Sequence, residues 1–340
     1  MEKVLSIIIP TYNMENYLNR CLDSLIVDNM DLLEVLVIND GSKDRSSEIA
    51  HTYSQRYPGT FKVIDKENGN YGSCINRGLK EATGKYVKIL DADDYYRSNE
   101  LNLFLEKLKN CNSDIAFTTY TIRKYNDEIE FTIDIPSKYE NKTICTSEFS
   151  FEESQLAQLR KMHCMCTKIQ LLKDNNYFQT EGISYTDTQF VFYSFLYSKT
   201  ISFFNLNIYQ YCLGRDGQTM SPTAMIKNNM HFYLNARKML EDYSKIDINT
   251  PILNVQNLRN SIRTEITCYY KVISSMIHPT KKQCELFKEL IQMGKSSTIP
   301  YDVSKELMGN KLHNLWDKYG ISLRLLITLA RFKTKFYRKE

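Results

Sequence analysis

Asp91, Asp93 and Asp94 fall within four positions in the stretch KILDADDYY, where an apolar run ends. Carboxylates crowded this closely repel one another and raise each other's pKa, and they add nothing to a core. A hard divalent cation such as Mg²⁺ or Mn²⁺ relieves that repulsion, because such ions prefer oxygen ligands. Two or three aspartates leave its coordination incomplete, and water and substrate phosphates fill the rest. The chemistry indicated is the binding of a phosphate ester through a metal. A second reading is that the cluster caps a helix starting near Ser98, since acidic groups favour helix N-termini. Capping needs one such residue, not three.

The elements that must position these carboxylates are legible upstream. VLSIII (4–9) is a continuous β-branched run, as expected of a strand buried on both faces, and it stops at Pro10. Leu18, Leu22, Leu25 and Ile26 recur at helical spacing. EVLVI (34–38) reads as a second strand closed by the turn residues NDGS, and FKVID (61–65) as a third, with a helix over 44–57 between them. NGNYG (68–72) is a glycine-rich turn before a helix over 73–82, and YVKIL (86–90) is the strand that delivers the acidic cluster. Repeated strand–helix–strand units predict an α/β chain with a doubly wound, mostly parallel sheet. Ligands bind such sheets beyond the carboxyl ends of the strands. Thr11 and Tyr12, Asp40, Asn68 and Asp91 to Asp94 all fall there, so they are expected on one rim.

From 114 to 140 the pattern turns to a hairpin, and ISFFN and IYQYC read as further strands. After Pro222 helical stretches follow at about 224–245, 252–277 and 280–293. The expected organisation is a catalytic domain over 1–220 and a helical C-terminal region over 221–340. The 340 residues carry 44 basic and 40 acidic side chains, and a net +4 argues for no nucleic-acid partner. Nine cysteines without regular spacing, together with a first apolar run too short for a secretory signal, point to a reducing cytoplasm. His163, Cys164 and Cys166 in MHCMC lack the spacing and the second cluster of a structural zinc site. Twenty-four tyrosines suit a polar groove or reflect composition alone.

Taken in order, SIIIPTYN, VINDGSKDRS and ENGNYGSCINRGLKEATGKYVKILDADD resemble the nucleotide-binding half of family 2 glycosyltransferases of the GT-A fold, of the non-processive bacterial surface-polysaccharide type. The likeness runs through residues 3–125 and more loosely through 178–192 and 211–221. It implies an inverting, metal-dependent transfer of one sugar from a UDP-sugar to a hydroxyl of a glycan or lipid-linked acceptor, with Mn²⁺ or Mg²⁺ as cofactor. By the same resemblance Pro10, Thr11 and Tyr12 line the base pocket and Asp40 binds the uracil or its ribose. Asn68, Gly69 and Gly72 shape the loop facing the donor, with Lys88 beside the acidic rim. Asp91, Ala92 and Asp93 form the Asp-x-Asp motif, in which Asp91 lies near the ribose or sugar and Asp93 reaches the metal, helped by Asp94.

Relatives carry an acidic pair where this chain has Thr186-Asp187; Asp187 is the expected general base, with Glu181 in reserve and an early-helix role as the alternative for Asp187. Arg215 matches a basic position on a loop closing over the donor, against the alternative of a solvated arginine. The lone Trp316 sits in NLWDK rather than in the Gln-x-x-Arg-Trp motif of processive members, and no apolar run reaches the about 18 residues of a membrane span. The basic, amphipathic tail (Arg324, Arg331, Lys335 and Arg338 beside Leu325, Leu329, Phe332 and Phe336) suits peripheral contact with an anionic inner membrane face, or simple packing on the body. The helical region is also a candidate dimer interface. Two other classes stay open: a sugar nucleotidyltransferase, although PTYNMENY lacks that class's glycine-rich loop, and a non-catalytic GT-A-like binding protein. A dinucleotide-binding dehydrogenase is excluded, because no G-x-G-x-x-G follows the first strand.

Overall fold

The computed structural model describes residues 2–124, 127–146, 159–215, 217–219, 221–247, 249–250, 252–276 and 279–293, with 305–306, 308, 313–316 and 319–327 beyond them. Four strands, β1 (Leu5–Thr11), β2 (Leu33–Asn39), β3 (Phe61–Asp65) and β4 (Tyr86–Ile89), pair in parallel in the order β3-β2-β1-β4. Their registers align Thr11 with Asn39 and Asn39 with Asp65, so the polar residues that follow leave the sheet along one edge. The chain moves outward from β1 to β3 and then returns to the other side of β1, which puts a switch point between β1 and β4.

Beyond β4 the sheet becomes mixed. A two-residue β5 (Tyr95–Tyr96), β6 (Ile115–Lys124), β7 (Ile129–Ile133), β8 (Thr143–Cys145), β9 (Met165–Lys168) and the long β10 (Thr200–Leu213) complete ten strands. β9 runs antiparallel between β4 and β6, while β10 lies parallel to β6 and antiparallel to β5. The expected hairpin is β6 with β7. ISFFN and IYQYC are one strand, because β10 bridges Phe203 to Asn207 through a bulge rather than a turn.

Helices α1 (Leu18–Asp23), α2 (Ser46–Arg56), α3 (Asn70–Glu81), α4 (Ser98–Lys109), α5 (Ile169–Asp174) and α6 (Asp187–Tyr197) accompany this sheet. Helix α1 is shorter than its apolar spacing predicts, because Ser24 Oγ turns back to the Cys21 carbonyl at 2.6 Å and ends it. Glycines let α3 approach closely: a Cβ at Gly78 would lie 2.6 Å from Ile8 Cγ2, and one at Gly72 would overlap the Thr180 carbonyl. Gly72→Ala is therefore expected to lower stability by about 1–3 kcal/mol in a urea melt, since the blocking atom is backbone and cannot swing away.

The chain divides into two compact units, one of residues 1–216 with 249–257, the other of 217–248 with 258–340. The second unit contains α7 (Pro222–Lys227), α8 (Asn229–Tyr243), most of α9 (Ile252–Ser275) and α10 (Lys281–Met293). Its apolar faces bury Phe232, Met239, Ile262, Ile266, Phe287 and Leu290. Trp316 packs its ring 6.1 Å from Phe287 and belongs to this core. Among the described residues no helix is long and apolar enough to cross a membrane. The tail positions Leu329, Arg331, Phe332, Lys335, Phe336 and Arg338 lie outside the described residues, while Arg324 and Leu325 fall on an exposed turn beside buried Leu323 and Leu326.

Candidate active site

The edge where β1, β2 and β3 end is built around Asp40. Its amide donates to the Thr11 carbonyl at 2.8 Å, continuing the β1–β2 register one step past the sheet. Thr11 is buried, Pro10 half-buried, and Tyr12 is 45% exposed at the lip. The Asp40 carboxylate is buried, receives the Lys66 ammonium, and accepts the Gly69 amide at 2.9 Å. Asn68 donates to the Asp40 main-chain carbonyl at 2.9 Å. Asn68 and Gly69 thus hold Asp40 in place. Gly72 falls not in this loop but in the first turn of α3, against the Thr180 carbonyl. Lys66, which also reaches Ser73 Oγ at 2.9 Å, was not singled out in the sequence; its only signal was its position one residue past FKVID.

Asp91, Ala92, Asp93 and Asp94 turn sharply at the end of β4, the Asp94 amide donating to the Asp91 carbonyl at 3.0 Å. The three carboxylates have separate partners. Asp91 accepts the Tyr71 hydroxyl at 3.1 Å. Asp93 receives Arg215 Nε at 2.5 Å, with both side chains largely buried, and the guanidinium lies 5.5 Å from the Tyr17 ring centre. Asp94 accepts the Tyr209 hydroxyl at 2.6 Å and the Cys212 amide at 2.7 Å, which pins the end of β4 to β10. The helix-cap alternative fails, because α4 has no side-chain cap and Asp94 is spent on β10. Burial, then Asp93 and Asp187, push the Asp91 carboxyl up to about 8. Burial, then Asp93 and Asp91, hold Asp94 well above the carboxylate range.

Asp187 opens α6 and is half-buried. Burial raises its pKa, opposed by Lys161 and by its own amide and that of Thr188. Its charge acts on both Asp91 and Tyr71, which puts it at the same rim. The early-helix role holds as well, since those two amides are in the first turn. Thr186, the residue before Asp187, is fully buried: Gln179 Nε2 donates to its hydroxyl at 2.8 Å and to its carbonyl at 2.9 Å. Asn76 on α3 clamps Gln179 through both backbone groups, at 2.8 and 2.9 Å. A side-chain amide thus satisfies the buried threonine and fixes the turn entering α6.

Two expected residues are not brought to this rim. Lys88 is fully buried, and its ammonium donates to the His163 carbonyl at 2.6 Å, the Met165 carbonyl at 3.1 Å and Thr118 Oγ1 at 3.4 Å. Three donors on three neutral acceptors leave nothing for the carboxylates, and burial lowers its pKa to about 8. Glu181 is exposed, accepts Asn76 Nδ2 at 2.9 Å, and lines a cavity of about 660 Å³ with Lys66, Arg77 and Phe178.

The sequence contains a match to the family described as Glycosyl transferase family 2 over residues 6–175, half of its length. The chain belongs to glycosyl transferase family 2. A 116-residue stretch is 37% identical to the uncharacterized glycosyltransferase EpsJ of Bacillus subtilis, covering 34% of this chain and 33% of EpsJ. Over another 116-residue alignment it is 35% identical to glycosyltransferase GlyA of Streptococcus pneumoniae, covering 34% of this chain and 16% of GlyA. The matched stretch thus spans a third or less of either relative. Among solved structures, S. aureus TarS 1–349 in complex with UDP-GlcNAc superposes with a TM-score of 0.67 at 20% identity, covering 97% of this chain and 92% of that one. A mannosyltransferase from Pyrobaculum calidifontis, PcManGT, gives 0.52 at 15% identity, covering 94% and 88%. At such identities the likeness is one of fold, and it bears out the GT-A architecture.

The fold family implies a divalent cation, and this family 2 rim fits one. Among the described residues, Asp91, Asp94 and His163 bring ligand atoms within 4.8 Å of one another. His163 Nδ1 is buried and has no hydrogen-bond partner. Its ring is wedged against Tyr209, Tyr211 and Tyr120, with centroids at 4.6, 4.5 and 5.3 Å. Burial, with Lys161 and Lys88, drives its pKa down to about 3, so the imidazole is neutral. None of Tyr71, Tyr209, Tyr211 or His163 was picked out for this rim from sequence. The abundance of tyrosine and the MHCMC motif were the available signals.

Proposed function

We propose that the chain is an inverting glycosyltransferase that moves one sugar from a UDP-sugar to a hydroxyl of a glycan or lipid-linked acceptor. The observation that carries this reading is the meeting, at one strand edge, of a buried Asp40 beside an exposed Tyr12, an Asp91–Asp94 turn and the half-buried Asp187. The TarS structures holding UDP-GlcNAc and UDP support a uridine nucleotide, and PcManGT with GDP-Man and Mn²⁺ supports a nucleotide-sugar with a metal.

In this reading Tyr12 covers the base, and Asp40, held by Lys66, accepts a hydrogen bond from the base or ribose. Asp91, Asp93 and Asp94 would hold Mn²⁺ or Mg²⁺, whose charge offsets that of the departing diphosphate. Arg215, now on Asp93, stands where it can follow the diphosphate. The Asp187 carboxylate takes the proton of the acceptor hydroxyl. The acceptor oxygen then bonds to the anomeric carbon from the face opposite UDP. The bond from that carbon to the diphosphate breaks, and UDP leaves with the electron pair, so the configuration inverts.

The testing experiment is UDP release from a panel of UDP-sugars with Mn²⁺, Mg²⁺ or EDTA, for wild type and Asp93→Ala. One UDP-sugar is expected to be hydrolysed slowly with metal, and the variant is expected to lose this release. Absence of both release and calorimetric UDP binding with Mn²⁺ would sink the transferase reading.

A further inference from the structure

His163 is a rim group whose chemistry the transfer reaction leaves unused. Its Nδ1 is buried and unpartnered. A buried polar atom left without a hydrogen bond costs about 1–3 kcal/mol, so its place in a site of otherwise satisfied groups asks for a partner that is not protein. The ring cannot easily turn to find one, because Tyr209 meets it edge-on and Tyr211 and Tyr120 lie against its faces. Its main chain is fixed too. Lys88, from the strand that ends in Asp91, donates to the carbonyls of both His163 and Met165. The buried lysine that does not reach the carboxylates is thus a positioning residue for the imidazole that does.

We infer that His163 is a nitrogen ligand of the divalent cation, adding one imidazole to the carboxylates of the Asp91–Asp94 turn, of which Asp91 and Asp94 cluster with it. This rests on the metal-dependent reading above. The three ligand atoms lie within 4.8 Å of one another, a spread that one cation at ordinary ligand distances of about 2.0–2.3 Å closes with small side-chain movements. Asp94 accepts from Tyr209 and Cys212, but each carboxylate oxygen has a second lone pair. Cys164 and Cys166 follow the histidine, yet burial pushes both thiols well up, and neither shares the cluster. An imidazole among oxygens shifts selectivity away from Mg²⁺, which takes oxygen, and toward Mn²⁺ and later first-row ions. The site selects its metal through a residue outside the Asp-x-Asp motif.

The test is pulsed electron paramagnetic resonance of Mn²⁺ bound to protein labelled with ¹⁵N only at histidine, recorded with Mn²⁺ alone and with Mn²⁺ plus UDP. The wild-type spectrum is expected to contain a ¹⁵N coupling from a directly bound imidazole. His163→Gln is expected to lose that coupling and to bind Mn²⁺ about 10- to 100-fold more weakly, with Mg²⁺ affinity little changed. Should the variant fail to fold, the wild-type spectrum decides alone. Bound Mn²⁺ without nitrogen coupling overturns the inference while sparing the transferase reading, because the ion would then be held by oxygen alone. No bound Mn²⁺, with UDP bound calorimetrically in the same sample, overturns the inference together with metal dependence. Failure of UDP to bind as well removes the parent reading.

Discussion

Asp187→Asn is expected to lower kcat by about 10²- to 10⁴-fold, the range a positioned general base contributes, while UDP binding stays within about twofold. In the proposed reading the nucleotide is held at Asp40 and Tyr12, and neither has a hydrogen bond to Asp187 among the described contacts of the rim. A stability measurement separates lost chemistry from lost fold. Burial raises the Asp187 pKa above its unfolded value, so its folded carboxyl holds a proton more tightly than the unfolded one. Stability from that group is present at low pH and is lost as pH rises through the folded pKa. Asparagine carries no such liability, and the variant should melt no lower than wild type at pH 8. Glu181→Gln is the companion: the Glu181 carboxylate faces Asn76 rather than the acidic turn, so its kcat should be nearly unchanged. If the two results were exchanged, Glu181 would be the base.

The fold was legible where strands are buried on both faces, because continuous β-branched runs such as SIII and VLVI have no other stable home. The rim followed from parallel order alone: strands that point the same way must deliver Thr11, Asp40 and Asp91 to one edge. What the sequence could not give were partners supplied by distant elements. Lys88 reads as a charge next to a DADD motif, and only the insertion of antiparallel β9 beside β4 shows that its ammonium meets carbonyls instead. His163 was weighed with its neighbouring cysteines as a zinc motif and dismissed for want of a second cluster. Only the fold brings the histidine within reach of Asp91 and Asp94, some seventy residues upstream. Gln179 is silent in one dimension for the same reason. Its meaning comes from Thr186, a buried hydroxyl that accepts its side-chain amide.

The affinity for Mn²⁺ is expected to climb by about tenfold or more per pH unit between about pH 6 and 8. The reason is Asp91. Its carboxyl, ordinarily at 3.8, is carried up to about 8 by burial and then by Asp93 and Asp187. Below that point, without a cation, the group holds a proton, and an arriving ion must displace it. Asp94, also held well above the carboxylate range, must give up its proton as well, so calorimetry in buffers of different ionisation enthalpy should return at least one proton released per ion at pH 7. The sign for the cation-free protein follows from the same shift. The folded pKa lies above the unfolded one, so the contribution of Asp91 to stability is complete below about pH 4 and is lost as pH rises through about 8. Added Mn²⁺ should therefore raise the melting temperature more at pH 8 than at pH 5.5. Asp91→Asn removes one exchanging proton and should weaken both dependences, whereas Asp40→Asn, buried on Lys66 at another strand end, should leave them intact. A pH-independent Mn²⁺ affinity in wild type would mean that Asp91 is already ionised in the folded chain, with the neighbouring arginine, Arg215 on Asp93, outweighing the burial that favours the protonated form.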